Sequence, residues 1–283
     1  MTPPTRTRFA PSPTGRLHLG HAFSALVAAR TADRLGGDMV LRIEDIDQSR
    51  CRPEFEKAIY EDLRWLGLTW PTPVRRQSEH FAEYAAALAQ LDDARLLYPC
   101  FCTRAEIRAE IACSPSAPQG PDGPIYPGTC RHLSEADVAA RKATGAPFAL
   151  RLDCAKALQR VDIDLFFDDV THGRIAADPT KFGDVVLARK DTPTSYHLAV
   201  VVDDHLQGIT CVTRGEDLFE STHIHRLLQY LLSLPTPHYA HHRLIEDAGG
   251  RRLAKRDQAT TLSDLRAQGL TPDDVLARLP PLS

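Results

Sequence analysis

The sequence predicts an α/β fold, a largely parallel sheet covered by helices and split by one inserted region. Three observations predict it. Strand-length apolar runs alternate with helical apolar spacing near the start, the alternation returns near the end, and the composition between them shifts toward cysteine, proline and glycine. With 283 residues, 43% hydrophobic and 25% charged, the chain can bury a full core as one large domain or one domain with an insertion.

Composition also excludes classes of function. No apolar run approaches a membrane span, and Met1-Thr2-Pro3-Pro4 lacks the basic and apolar regions of a secretory signal. Seven cysteines, an odd number, argue against a disulfide framework. They fit a reducing cytoplasm, where the protein is expected to act as a monomer. The formal net charge is −3, so any RNA must be met by a local patch.

The chain opens on Arg8-Phe9-Ala10-Pro11-Ser12-Pro13-Thr14-Gly15-Arg16-Leu17-His18-Leu19-Gly20-His21. Pro11 and Pro13 stiffen an extended run that ends in a turn at Gly15. Helical spacing follows from Gly20 (Ala22, Phe23, Leu26, Val27, Ala29) until Gly36 and Gly37 stop it. His18 and His21 therefore stand where a helix N-terminus offers N–H groups and partial positive charge, a place suited to phosphate. Histidines there can also do no more than cap the helix.

Residues 39–43 read as a short buried strand that delivers Glu44, Asp45 and Asp47 at its carboxyl end, the end that faces the ligand crevice in an open α/β sheet. Acidic residues there can instead cap the helix opening at Pro53, a part that suits Asp45 or Asp47. That helix places Phe55, Ala58, Ile59, Leu63 and Leu66 on one face and stops at Gly67. A further helix over 79–96 turns Phe81, Tyr84, Ala85, Leu88 and Leu91 inward. The β-α-β-α pattern is the first half of a nucleotide-binding fold.

The region 97–190 reads as the insertion. It carries Cys100, Cys102, Cys113 and Cys130, with a long aperiodic loop between the last two. An unpacked loop of that length is costly to order, and a metal would order it. In extended chain Cys100 and Cys102 point the same way, Cys130 can add a third ligand, and the fourth must come from Tyr126, Cys113 or His132. The spacing departs from the usual zinc knuckle, and partly buried reduced cysteines are the other reading. Strand-like runs occupy 148–152 and 184–188, and the basic residues Arg104, Arg108, Arg131, Arg141, Lys142 and Lys181 are scattered.

The second half resumes the earlier style. Residues 196–204, nearly continuous in apolar side chains, are expected to form a strand buried on both faces. The next strand covers 208–217 with Arg214 at its carboxyl end, and a helix over 221–232 buries Ile224, Leu227, Leu228 and Leu231. Gly249-Gly250 then turns the chain into the basic loop Arg251-Arg252-Leu253-Ala254-Lys255-Arg256-Asp257.

These motifs carry a resemblance. His18-Leu19-Gly20-His21 is similar to the HIGH tetrapeptide of class I aminoacyl-tRNA synthetases. The whole run 8–21 and Arg42-Ile43-Glu44-Asp45 resemble the glutamyl branch, and the Lys255 loop resembles the family's KMSKS signature. The resemblance covers residues 8–257. It implies a Rossmann-like class I catalytic domain in two halves, 1–96 and 191–283, with 97–190 as a zinc-binding insertion that meets tRNA. It also implies ATP-dependent activation of glutamate, with Mg²⁺ on the phosphates.

Under this resemblance His18, His21 and Lys255 act in catalysis, and His18, Gly20, His21, Arg252, Leu253 and Lys255 meet ATP. Glutamate is held by Arg8, Phe9, Ala10, Pro11, Ser12, Tyr196 and Arg214, with Glu44 on its ammonium. Arginine suits the task because its planar fork grips a carboxylate through two hydrogen bonds. Val200 stands where glutamyl enzymes often carry Asn, Ala254 replaces the loop serine, and Arg252 replaces its first lysine.

Residues 257–283 are too few for the helical domain with which glutamyl-tRNA synthetases read the anticodon, so no anticodon-binding domain is expected. The short branch that attaches glutamate to queuosine in the anticodon loop of tRNA(Asp) fits that length. In that branch one structural zinc sits on ligands that fall here on Cys100, Cys102, Tyr126 and Cys130. The alternatives are a truncated enzyme charging tRNA(Glu), or a catalytically silent tRNA-binding paralogue, against which intact Arg8, His18, His21, Glu44 and Lys255 speak.

Overall fold

A computed structural model describes residues 5–112, 119–121, 123–245 and 260–282. The first half runs β1 (Arg6–Phe9), α1 (Leu19–Arg34), β2 (Asp38–Ile43), α2 (Pro53–Trp65), β3 (Arg75–Arg76) and α3 (Phe81–Asp93). Its strands form a parallel sheet in the order β1-β2-β3. Phe9, Leu17, Ala22, Ala25, Leu41, Ile43, Ile59 and Leu63 close a core between that sheet, α1 and α2. Gly37 lets α1 return against the chain's start, since a Cβ there would stand 1.6 Å from the Thr5 carbonyl oxygen.

The expectation that Asp45 or Asp47 caps α2 is not met. Arg52 occupies the N-cap without a side-chain hydrogen bond, and Pro53 leaves one fewer N–H to satisfy. Asp45 instead accepts from the Ser78 N–H at 2.9 Å and its hydroxyl at 2.6 Å. Asp47 accepts from Ser49 at 2.6 Å and Arg50 at 2.7 Å.

The middle region contains β4 (Leu97–Cys100), α4 (Arg104–Ala112), β5 (Gln119–Gly120), β6 (Gly123–Pro124), α5 (Glu135–Ala143), β7 (Ala149–Leu152), α6 (Cys154–Leu158), β8 (Phe166–Asp169), β9 (Gly173–Ala176) and β10 (Val186–Ala188). It divides among three sheets, one of them the two-stranded antiparallel ribbon β5-β6. An antiparallel sheet of order β10-β7-β4 belongs to the region alone, whereas the β8-β9 hairpin extends the sheet of the second half.

That second half comprises α7 (Tyr196–Leu206), β11 (Cys211–Gly215), α8 (Ser221–Leu231), β12 (His238–His242), α9 (Leu262–Ala267) and α10 (Pro272–Ala277). Strands β11, β12 and β8 are parallel neighbours in the order β11-β12-β8-β9. Strands β1 and β11 lie side by side, and the Thr210 N–H donates to the Arg6 carbonyl at 3.0 Å. The two halves thereby meet where the strand order reverses, which is where such sheets open a crevice.

The expected strand over 196–204 is instead the helix α7. Ser195 caps its N-terminus, and Leu198, Ala199, Val200, Val201 and Val202 are all buried within the largest core cluster, shared with α3 and α8. A helix enclosed on every side is as continuously apolar as a central strand, so periodicity does not separate the two over so short a run.

Candidate active site

The opening run is strapped to the end of β2. The Pro11 and Pro13 carbonyls accept the Glu44 N–H at 3.1 Å and the Arg52 N–H at 3.0 Å. His18 is the N-cap of α1, its Nδ1 accepting the Gly20 N–H at 3.1 Å, while His21 Nδ1 accepts the His18 N–H at 3.2 Å. A ring nitrogen that accepts carries no hydrogen, so each neutral imidazole holds its N–H on Nε2. The ring centroids are 3.8 Å apart. Gly20 permits this, because a Cβ there would lie 3.0 Å from the His18 ring.

In front of α1 lies a cavity of 390 Å³, at the carboxyl ends of β1, β2, β11 and β12. Arg8, Phe9, Ala10, Pro11 and Ser12 line it from the opening run, and His18, Gly20 and His21 from the helix start. Glu44 joins them from the end of β2, Tyr196 from the first turn of α7 and Arg214 from β11. The histidines therefore cap the helix and face the cavity at once. Phe23, Ser24, Thr213, Gly215, Asp217, Leu218 and the run from His242 to Ile245 complete the wall, and the sequence marked none of them as site residues.

Arg252, Leu253, Ala254 and Lys255 lie outside the described residues, as does Cys113. The chain on either side of residues 246–259 stays beside the cavity: Ile245 lines it and Thr261 bridges to His18. Val200, one helical turn beyond Tyr196, is 1% exposed and packs in the core rather than lining the cavity.

A buried charge network forms the floor. Asp204 accepts from Arg8 Nε at 3.3 Å and from Arg42 Nη1 at 2.8 Å, so two arginines share one carboxylate. Arg8 also donates to the Thr213 carbonyl at 2.6 Å, and the fully buried Arg42 reaches Glu44 at 3.4 Å. Burial pushes the Glu44 carboxyl above its usual range, opposed by Arg42 and Arg8. Asp203, the neighbour of Asp204, accepts instead from Tyr84, Gln77 and Arg75.

Arg214 is held differently. Its Nε donates to His241 Nε2 at 3.1 Å, Nη1 approaches His225 Nδ1 at 3.2 Å and the Tyr196 hydroxyl at 3.4 Å, and Nη2 donates to the Thr222 hydroxyl at 2.7 Å. Behind it, His241 Nδ1 lies 2.6 Å from Asp169 on β8. Asp203 and Asp204 could have been suspected from carboxylates ending an apolar run. No local signal marks Arg42, Asp169, Thr222, His225 or His241 as partners of the site.

Away from this cavity, the sulfurs of Cys100, Cys102 and Cys130 lie within 4.8 Å of one another. The Tyr126 hydroxyl is 3.4 Å from Cys100 Sγ and 3.5 Å from Cys102 Sγ. Three thiols and a phenol in one cluster, of which only Cys102 is half-buried rather than buried, are a donor set that suits a closed tetrahedral zinc. His132 is exposed and stands outside this group.

Comparison with known proteins agrees with this architecture. Residues 4–279 match the family model of tRNA synthetases class I (E and Q), catalytic domain. The chain is 48% identical over 280 residues to the Glutamyl-Q tRNA(Asp) synthetase of Rhodobacter capsulatus, covering 95% of this chain and 97% of that protein. It is 46% identical to the protein of the same name from Nocardia farcinica, over 96% of this chain and 82% of the relative. Among solved structures it is similar to a glutamate tRNA ligase from Elizabethkingia meningosepticum in complex with its amino acid, with 33% identity and a TM-score of 0.74 over 90% of this chain. It spans about half, 52%, of that longer chain.

Proposed function

The chain belongs to the class I tRNA synthetases of the E and Q type, and on that premise we propose that it activates glutamate with ATP, without tRNA, and transfers it to the queuosine base in the anticodon loop of tRNA(Asp). One observation carries this reading. Arg8, Glu44, Tyr196 and Arg214, which come from separate stretches of the sequence, face one cavity together with the His18 and His21 rings. The protein is expected to act in the cytoplasm as a monomer. Among the described residues no helix is long and apolar enough to cross a membrane.

The chemistry follows from charge. The glutamate α-carboxylate must attack the α-phosphorus of ATP, and two anions repel until cations and N–H groups offset them. Arg8 and Arg214 would hold the dianionic amino acid, Glu44 its ammonium and Tyr196 its carbon chain and polar edge. With Nδ1 of each ring engaged by backbone, His18 and His21 turn their Nε2–H groups to the phosphates, as does the N-terminus of α1. Catalysis then rests on positioning and on contacts that strengthen as charge shifts in an in-line displacement. Magnesium, bound with ATP, supplies further charge neutralisation. Cys100, Cys102, Cys130 and Tyr126 would hold a structural zinc that orders the middle region and takes no part in the reaction.

The test has two arms. Glutamate-dependent ATP–pyrophosphate exchange without tRNA is expected, and its absence would leave only a binding protein. Labelled glutamate should then appear on queuosine-containing tRNA(Asp), and label solely on tRNA(Glu) would end the proposal. Lys255→Ala should lower exchange by about 100-fold with an unchanged unfolding curve, and a normal exchange rate would contradict its assigned role.

A further inference from the structure

The amino-acid cavity has two arginines, and they are held by opposite means. Arg8 is partnered by the carboxylate of Asp204, 3.3 Å from its Nε. Arg214 is 5% exposed and makes polar contacts with His241, His225, Thr222 and Tyr196, and among the described residues no carboxylate lies within ion-pair distance of it. A guanidinium has only donors, so each ring nitrogen that faces it must be bare. His241 therefore carries its hydrogen on Nδ1, where Asp169 accepts it at 2.6 Å. His225 carries its hydrogen on Nε2, directed at His197 Nδ1 at 3.1 Å.

We propose that His225 and His241 are positioning residues that set the specificity of the amino-acid pocket: as neutral acceptors they fix the fork of Arg214 without cancelling its charge, which is kept for the substrate's anionic group. This rests on the reading of the cavity as a glutamate site. A carboxylate in either place would orient the arginine equally well, but it would neutralise it before substrate arrived. A neutral amino acid such as glutamine would then lose less than glutamate. Burial first, and the charge of Arg214 second, hold both imidazoles below their usual range, His241 at about 4. Asp169 fixes the His241 tautomer from the far side of the ring and makes no ion pair with Arg214 itself.

The test compares substitutions of like size in the full chain. His225→Glu, and separately His241→Glu, should raise the KM for glutamate by at least about tenfold and shrink the glutamate-over-glutamine preference by a similar factor. The KM for ATP should stay within about twofold. His225→Gln, a neutral acceptor, should keep the KM for glutamate within about threefold of the parent. Equal damage from Glu and Gln, or a Glu variant that keeps its preference for glutamate, overturns the proposal.

A second measurement needs neither turnover nor a charged variant. Long-range ¹⁵N spectra of the histidine-labelled protein at neutral pH, assigned with the Gln variants, should show a bare Nδ1 on His225 and a bare Nε2 on His241. An imidazolium at either position overturns the proposal. Should the parent protein show no glutamate-dependent exchange at all, the functional reading fails, while these spectra still decide how Arg214 is held.

Discussion

Arg42 has no exposed surface, yet it borders three carboxylates: Asp204 at 2.8 Å, Glu44 at 3.4 Å and Asp203 at 3.8 Å. Its removal would leave a group of buried anions with little to offset them, which usually costs more than the intact pair ever contributed. Arg42→Met is therefore expected to destabilise the fold by about 3–5 kcal/mol in urea unfolding, and a loss below about 1 kcal/mol would show that the network is not coupled. His241 makes a pH-dependent contribution. Its folded pKa is lowered to about 4 from 6.5 by burial and by Arg214. Between those values the unfolded chain takes up a proton that the folded chain refuses. Stability is therefore present above the unfolded value and is lost as pH falls through the window, by up to about 1.4 kcal/mol per pH unit. Thermal midpoints measured from pH 7 to 4 should show the decline, and His241→Gln should flatten it.

Elements place these side chains. Helix α7 presents Tyr196 to the cavity from its first turn and sends Asp203 and Asp204 to the floor from its last. Its N-cap is Ser195, whose hydroxyl accepts the Leu198 N–H at 3.5 Å. Ser195→Ala should cost about 1 kcal/mol of stability, read as a fall in the urea midpoint. Had 196–204 been a strand, alternate side chains would have faced opposite sides of a sheet, and Tyr196 and Asp203 would have pointed apart. The close approach of α1 to the chain's start makes a stricter demand. Gly37→Ala would drive a methyl into the Thr5 carbonyl and should cost about 3 kcal/mol or more. An unaltered unfolding curve would mean that β1 shifts freely.

At the scale of the molecule, the thiol cluster and the cavity are separate devices on one chain. Metal analysis should find about one zinc per chain, and Cys130→Ser should lower that content while glutamate-dependent exchange falls less than metal content does. The alternation of strands and helices in the first half, the histidines at a helix start and the carboxylate after β2 were legible in the sequence, because each depends on neighbours a few residues away. The cysteine spacing likewise brought forward Cys100, Cys102 and Cys130, which the fold gathers together. Local pattern alone left 196–204 ambiguous, since a run buried on all sides loses the period that separates helix from strand. Which group partners each arginine was not legible. Arg8 meets Asp204 across 196 residues, and His241 meets Asp169 across 72. The first pairing exists only once the two halves meet at β1 and β11, and the second only once β8 of the middle region joins β12. The sequence by itself therefore determined which chemical groups are present and the elements that carry them. Only the tertiary structure decided which charges are cancelled and which are left for a ligand, because that depends on distances between residues far apart in the chain.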